Sequence, residues 1–274
     1  MTATLQILNI ILPFLYAVTL GVYLYDFFQE KKSLSNSKRI FLFFTLLTHC
    51  FYLMIRTIEF DHTPITSKFE IFSLLACTIA FSYFLLELLT DIRGTGAFII
   101  LFSLIFQTVS SIFISHDYIV PEILRNRLLG IHVISAIFGY SGITISAVYG
   151  ILFLLLYKNL KSNKFGLIFN KLPNLEILEK LSFHSLVIGF ILITVAIIIG
   201  IVWLPSAFPN YSFTDPKLVS TAFVWIVYGA GILAKILGNW YGKKIIIFSL
   251  CGFVLAMLSL ILTSTLANTF HAFY

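Results

Sequence analysis

Residues 200–217 read GIVWLPSAFPNYSFTDPK, a proline-bearing aromatic stretch set between two long apolar segments. It carries only two charges, Asp215 and Lys217, together with Trp203, Phe208, Tyr211 and Phe213, and Trp225 follows just beyond. That composition suits neither a solvated turn nor a membrane span. Pro205, Pro209 and Pro216 predict that the stretch does not continue as helix, because proline has no backbone N–H to give to a helix interior. Two readings stay open at this point. Aromatic side chains gather at membrane boundaries as an interfacial belt, and the same side chains would make a platform for a flat apolar ligand.

The flanking segments decide the class. Of 274 residues 59% are apolar and only 11% charged, and the mean hydropathy is +0.99, whereas soluble domains carry about 25% charged residues. The chain is read as an all-α integral membrane protein, a single polytopic domain over 1–274. A crossing helix needs about 20 apolar residues. On that measure eight spans are predicted, at about 5–28, 40–55, 69–89, 97–115, 128–157, 183–203, 218–237 and 245–265. The opening stretch is the sixth connection of this scheme, an aromatic outer loop between the sixth and seventh spans.

Charge orients the spans. No basic residue precedes the first, and Lys31, Lys32, Lys38 and Arg39 follow it, the reverse of a signal peptide. The first span is therefore expected to be retained, with both termini extracytoplasmic. That choice puts thirteen Lys and Arg residues on the cytoplasmic side and five, Arg56, Lys68, Arg125, Arg127 and Lys217, on the other. The bias follows the positive-inside rule, and it accounts for the net charge of +6 without nucleic acid as a partner. The longest loop, 158–180, falls on the cytoplasmic side, where LPNLEILEKLSF spaces Leu175, Leu178 and Leu181 as a short interfacial amphipathic helix with Glu176 and Glu179 on other faces.

Cys50, Cys77 and Cys251 all lie inside apolar segments, with no C-x-x-C, C-x-x-C-H or zinc spacing. This argues against a thiol oxidoreductase, a structural zinc site and a covalent c-type haem. Each reads as a small buried hydrophobe.

The six histidines sort by depth. His132 opens the fifth span and His271 follows the eighth, so the two bracket the aromatic stretch. Two neutral imidazoles approaching a flat ring from opposite sides meet the requirement for bis-histidine ligation of haem iron; water-exposed interfacial histidines are the other reading. His49 lies within the second span, where an ionisable side chain is a functional candidate. His62 and His116 are expected to be solvated in loops, and His184 to sit at an interface. Glu87 is expected to face inward near the end of the third span. Asp215-Pro216-Lys217 reads as a helix N-cap, the carboxylate accepting backbone N–H groups and proline fixing the first turn.

On these residues the chain resembles the cytochrome c assembly membrane proteins of the CcsA, ResC and HemX type, and most resembles their HemX-like branch. The tryptophan-rich signature of that family, G-A-x-W-A-x-x-x-W-G-x-Y-W-x-W-D-P-K-E, aligns without a gap on Gly200, Trp203, Tyr211, Asp215, Pro216 and Lys217. His49 with Arg56, Pro64 and Glu70, His132 with Tyr140, and the terminal FHAFY match further blocks, so the likeness runs from about residue 40 to 274. The second, third and fourth signature tryptophans are replaced by Phe208, Ser212 and Thr214, its glutamate by Leu218, and a second transmembrane histidine by Leu233.

The resemblance implies a haem-binding protein of cytochrome c maturation in a bacterial cytoplasmic membrane. It would hold haem b non-covalently at the outer face for attachment to apocytochrome c, with a second synthase subunit and membrane lipid as further partners. His132 and His271 would be the axial ligands, His49 a transmembrane ligand, and Trp203, Phe208, Tyr211 and Asp215 the rest of the cofactor site. The substitutions point away from an independent synthase. They leave a HemX-like regulator of tetrapyrrole synthesis as the alternative.

Overall fold

The computed structural model describes residues 3–29, 35–90, 92, 94–114, 127–163, 166–207 and 212–265. Among them there are nine helices and no strand: α1 (Ala3–Phe28), α2 (Ser35–Phe60), α3 (Lys68–Thr90), α4 (Gly96–Phe113), α5 (Arg127–Lys161), α6 (Leu167–Lys171), α7 (Leu175–Ala207), α8 (Pro216–Ile236) and α9 (Lys243–Thr265). Eight are long and apolar enough to cross a membrane, and α6 is not. The chain is a multi-pass membrane protein.

Two boundaries correct the sequence reading. The amphipathic segment at Leu175, read as a short helix leading into the sixth span, is continuous with that span and forms the first turns of α7. At the other end α7 passes through Pro205 to Ala207, so residues 200–207 are helix rather than loop. Pro205 stands two residues before the end of α7, so the bond it forfeits, to the Ile201 carbonyl, lies in the helix's last turn. Phe208 and Tyr211 lie outside the described residues, and the described part of the connection is 212–215.

Contacts divide the chain into two compact units. Unit 1 comprises Met1–Arg125 with Phe165–Pro173, and in it α1 and α3 each pack against both α2 and α4, closing a ring of four helices. Buried Leu12, Tyr16, Thr19, Tyr23 and Phe27 recur every three or four residues along α1 and, with Leu5 two turns before them, form its inward stripe. Ile10, Phe14, Phe28 and Phe44 face outward, the favourable side in lipid. The α3–α4 connection turns through Gly94 at φ +86°, with the Lys171 carbonyl where a side chain would stand.

Unit 2 comprises Asn126–Lys164 and Asn174–Tyr274, hence α5, α7, α8 and α9. Its spine is α5 against α7, brought close by glycine. A Cβ on Gly142 would lie 2.9 Å from the Gly189 Cα, and one on Gly189 would lie 2.8 Å from the Gly139 carbonyl oxygen. Small residues on facing helices permit such close approach in membranes. Below the glycines Ser146 Oγ meets Ser182 Oγ at 3.1 Å and Ser249 Oγ at 3.3 Å, tying α5 to α7 and α9.

Two smaller expectations also change. His62 is buried, its Nδ1 2.8 Å from the Thr63 carbonyl. Only Cys77 is a buried cysteine; Cys50 and Cys251 are exposed on their helices.

Candidate functional site

In unit 2 the first turns of α5 deliver His132 to the last turns of α7. Its Nδ1 lies 2.7 Å from the Ala196 carbonyl oxygen. A carbonyl only accepts, so Nδ1 is the protonated nitrogen and, in the neutral ring, Nε2 keeps its lone pair. A backbone acceptor that fixes the tautomer in this way is the usual second partner of a metal-binding imidazole. Gly200 makes room for the ring: a Cβ there would stand 2.8 Å from His132 Cε1. Trp203 is buried one turn further along α7.

Asp215 does what its sequence context predicts. Its Oδ1 accepts from the Lys217 backbone N–H at 2.9 Å, Pro216 takes the first helical position, and the Val219 N–H bonds back to the Asp215 carbonyl at 3.0 Å. The carboxylate is thus engaged in starting α8. Ser212 and Thr214, at two of the replaced tryptophan positions, join their hydroxyls at 2.7 Å in the turn just before it. Deeper in the unit, Trp225 stacks on Phe190 with centroids 5.5 Å apart and gives its indole N–H to Thr194 Oγ1 at 2.8 Å. His271 lies outside the described residues, as do Phe208 and Tyr211.

In unit 1, His49 is completely enclosed. Tyr16 Oη lies 2.9 Å from its Nδ1 and Ser73 Oγ 3.0 Å from its Nε2. Ser73 in turn donates to Gln107 Oε1 at 3.0 Å, and Gln107 Nε2 donates to Ser111 Oγ at 2.9 Å. Because Ser73 spends its proton on Gln107, it must accept from His49. Nε2 therefore carries the imidazole proton, and Nδ1 accepts from Tyr16. One directed chain crosses all four helices of the unit.

Ionic groups close both ends of this unit. At one end Arg56 Nε reaches Glu70 Oε1 at 2.8 Å, and Glu70 Oε2 accepts from Thr66 N and Thr66 Oγ1 at 2.8 and 2.7 Å. Ser67 and Glu70 form a capping box: Ser67 Oγ accepts from the Glu70 N–H at 3.2 Å, and Glu70 Oε2 from the Ser67 N–H at 3.3 Å. At the other end Glu87, wholly buried as expected, accepts from Tyr23 Oη at 2.6 Å and stands 3.4 Å from Lys38 Nζ, which also pairs with Asp26 at 2.7 Å.

Sequence reading found His49, His132, Glu87 and Asp215 but missed their partners. Tyr16, Ser73, Gln107 and Ala196 are unremarkable residue types, far from the histidines in sequence. The one available signal was Ser67-x-x-Glu70, a capping-box pattern.

A family model described as cytochrome C assembly protein matches residues 7–271, so the likeness includes α1. The CcsA cytochrome c biogenesis protein of Guillardia theta is 29% identical over 238 residues, 80% of this chain and 79% of that protein. The CcsA protein of Mesostigma viride is 25% identical over 246 residues, covering 81% and 80%. Protein HemX of Brevibacillus brevis is 24% identical over 223 residues, covering 78% and 79%.

Proposed function

The chain belongs to the cytochrome c assembly protein family, and from that premise we propose that it acts in cytochrome c biogenesis by binding haem b non-covalently in unit 2. The observation that carries this reading is the His132 imidazole, held by the Ala196 carbonyl in the tautomer that leaves Nε2 available. Haem, when bound, supplies an iron with two axial positions. His132 would take one and His271 the other, and Trp203, Phe208 and Tyr211 would offer apolar surface to the macrocycle. Asp215 contributes by fixing where α8 begins, because its carboxylate already serves the helix terminus. In this reading the site faces the extracytoplasmic side of a bacterial cytoplasmic membrane. Haem is held there for attachment to apocytochrome c, with a second membrane subunit as partner.

A second reading, HemX-like control of tetrapyrrole synthesis without haem attachment, draws on two observations. Both ring nitrogens of His49 are engaged within unit 1, and hydroxyls replace two signature tryptophans.

The absorption spectrum of the purified protein, oxidised and dithionite-reduced, separates the two. We expect a low-spin haem spectrum that turns five-coordinate or disappears in His132→Ala and in His271→Ala. Haem retained unchanged in both variants would put the site elsewhere. A protein that takes up no haem when supplied with it would leave the regulatory reading.

A further inference from the structure

Cys50 lies near the middle of α2 and Cys77 near the middle of α3, at the same level of the seam on which the two helices pack. The contacts of neighbouring residues on that seam fix this register. Two turns to one side Arg56 meets Glu70, and two turns to the other Phe43 meets Phe84 with centroids 6.1 Å apart. Antiparallel helices that hold these two pairs in register also hold residues 50 and 77 opposite each other.

The two thiols differ in access. Cys50 is exposed on the outer surface of its helix and Cys77 is buried behind it. A thiol midway along a membrane-spanning helix is about 15 Å from either interface, beyond reach of glutathione and other oxidants confined to water. An oxidant dissolved in the hydrocarbon reaches Cys50 directly. The two-electron, two-proton oxidants of that phase are quinones.

We propose that Cys50 and Cys77 are a redox-active thiol pair that a lipid-soluble quinone converts to a disulfide. The two S–H bonds break and one S–S bond forms. The two electrons and two protons pass to the quinone, which leaves as quinol. The product would clamp α2 to α3 beside His49, the residue preceding Cys50, and one turn from Ser73, its hydrogen-bond acceptor. The redox state of the membrane would then set the rigidity of the seam on which the His49 chain depends. Nothing in this proposal requires haem to be bound.

The test uses the intact protein in lipid nanodiscs, treated with duroquinone, whose ring carbons are all substituted and cannot be alkylated by a thiol. After denaturation and labelling with N-ethylmaleimide, the reduced chain takes three labels, one for each cysteine. Oxidation should lower this to one, left on Cys251, with a Cys50–Cys77 linked peptide that dithiothreitol cleaves. Cys50→Ser and Cys77→Ser should each hold two labels before and after treatment. Copper phenanthroline serves as a geometric control. Failure of that reagent to link the two cysteines would overturn the pairing, and linkage by it but not by duroquinone would overturn the quinone assignment. Dimers joined through Cys50 would likewise sink the intramolecular pair.

Discussion

Ser73 must both accept and donate to keep the His49 chain intact. It takes the His49 Nε2 proton and gives its own to Gln107, so its removal orphans two buried groups at once. Tyr16, at the end of the chain, leaves only the Nδ1 lone pair unmatched when its hydroxyl is lost. Interhelical hydrogen bonds in membranes average about 0.6 kcal/mol, with a ceiling near ~1.7 kcal/mol. A buried donor left without a partner costs about 1–3 kcal/mol. Ser73→Ala should therefore lower thermal stability in detergent about twice as much as Tyr16→Phe, and the double variant should fall short of the sum because both act on one ring. Equal effects would mean that the proton order along the chain is not the one assigned. The same order bears on ligand chemistry. A metal could reach His49 only by displacing Tyr16 or Ser73, whereas among the described residues His132 is bonded through Nδ1 and not through Nε2.

Among elements, the α5–α7 contact has the least tolerance. A methyl on Gly189 would stand 2.8 Å from the Gly139 carbonyl oxygen and 3.1 Å from the Ile143 nitrogen, both backbone, so the helices would have to separate. Overpacking of this kind costs about 1–3 kcal/mol. Gly21 in α1 offers the contrast, because a Cβ there meets nothing within 4 Å, and alanine favours helix over glycine by about 1 kcal/mol. Gly189→Ala should lower the midpoint of thermal unfolding in detergent, and Gly21→Ala should leave it unchanged or raise it. The apolar runs made all eight spans legible, since burial in lipid needs only length and composition. Helix ends were less legible, for local reasons. Prolines at 205, 209 and 216 looked like one broken loop, yet Pro205 lies within the last turn of α7 and Pro216 where α8 prefers proline. Asp215 was readable because a cap depends on neighbours in sequence. The Ala196 carbonyl was not, since it accepts from a side chain sixty-four residues away.

For the whole molecule the open physical question is which end of each helix faces the cytoplasm, because charge in the loops decides it. Thirteen basic residues against five favour both termini outside. Three of those charges are now seen to be internal: Lys38 pairs with Asp26 and Glu87, Lys235 with Glu179, and Arg56 with Glu70. An ion pair within the membrane-spanning bundle stabilises packing and says little about translocation, so these three should be set aside. The remaining basic residues keep the same bias, dominated by the segments after α1, α5 and α8. Alkaline phosphatase, which folds only outside the cytoplasm, should therefore be active when fused after residue 63, between α2 and α3, and inactive after residue 163, beyond α5. Substituting Lys158, Lys161 and Lys164 with glutamine should raise the activity of the second fusion, because they anchor the end of the longest span. Substituting Lys38 should not change either fusion's side and should instead lower yield, since it removes the ammonium 3.4 Å from the buried Glu87 carboxylate. Activity at residue 163 in the unaltered chain would invert the topology, and with it the face on which His132 is proposed to hold haem.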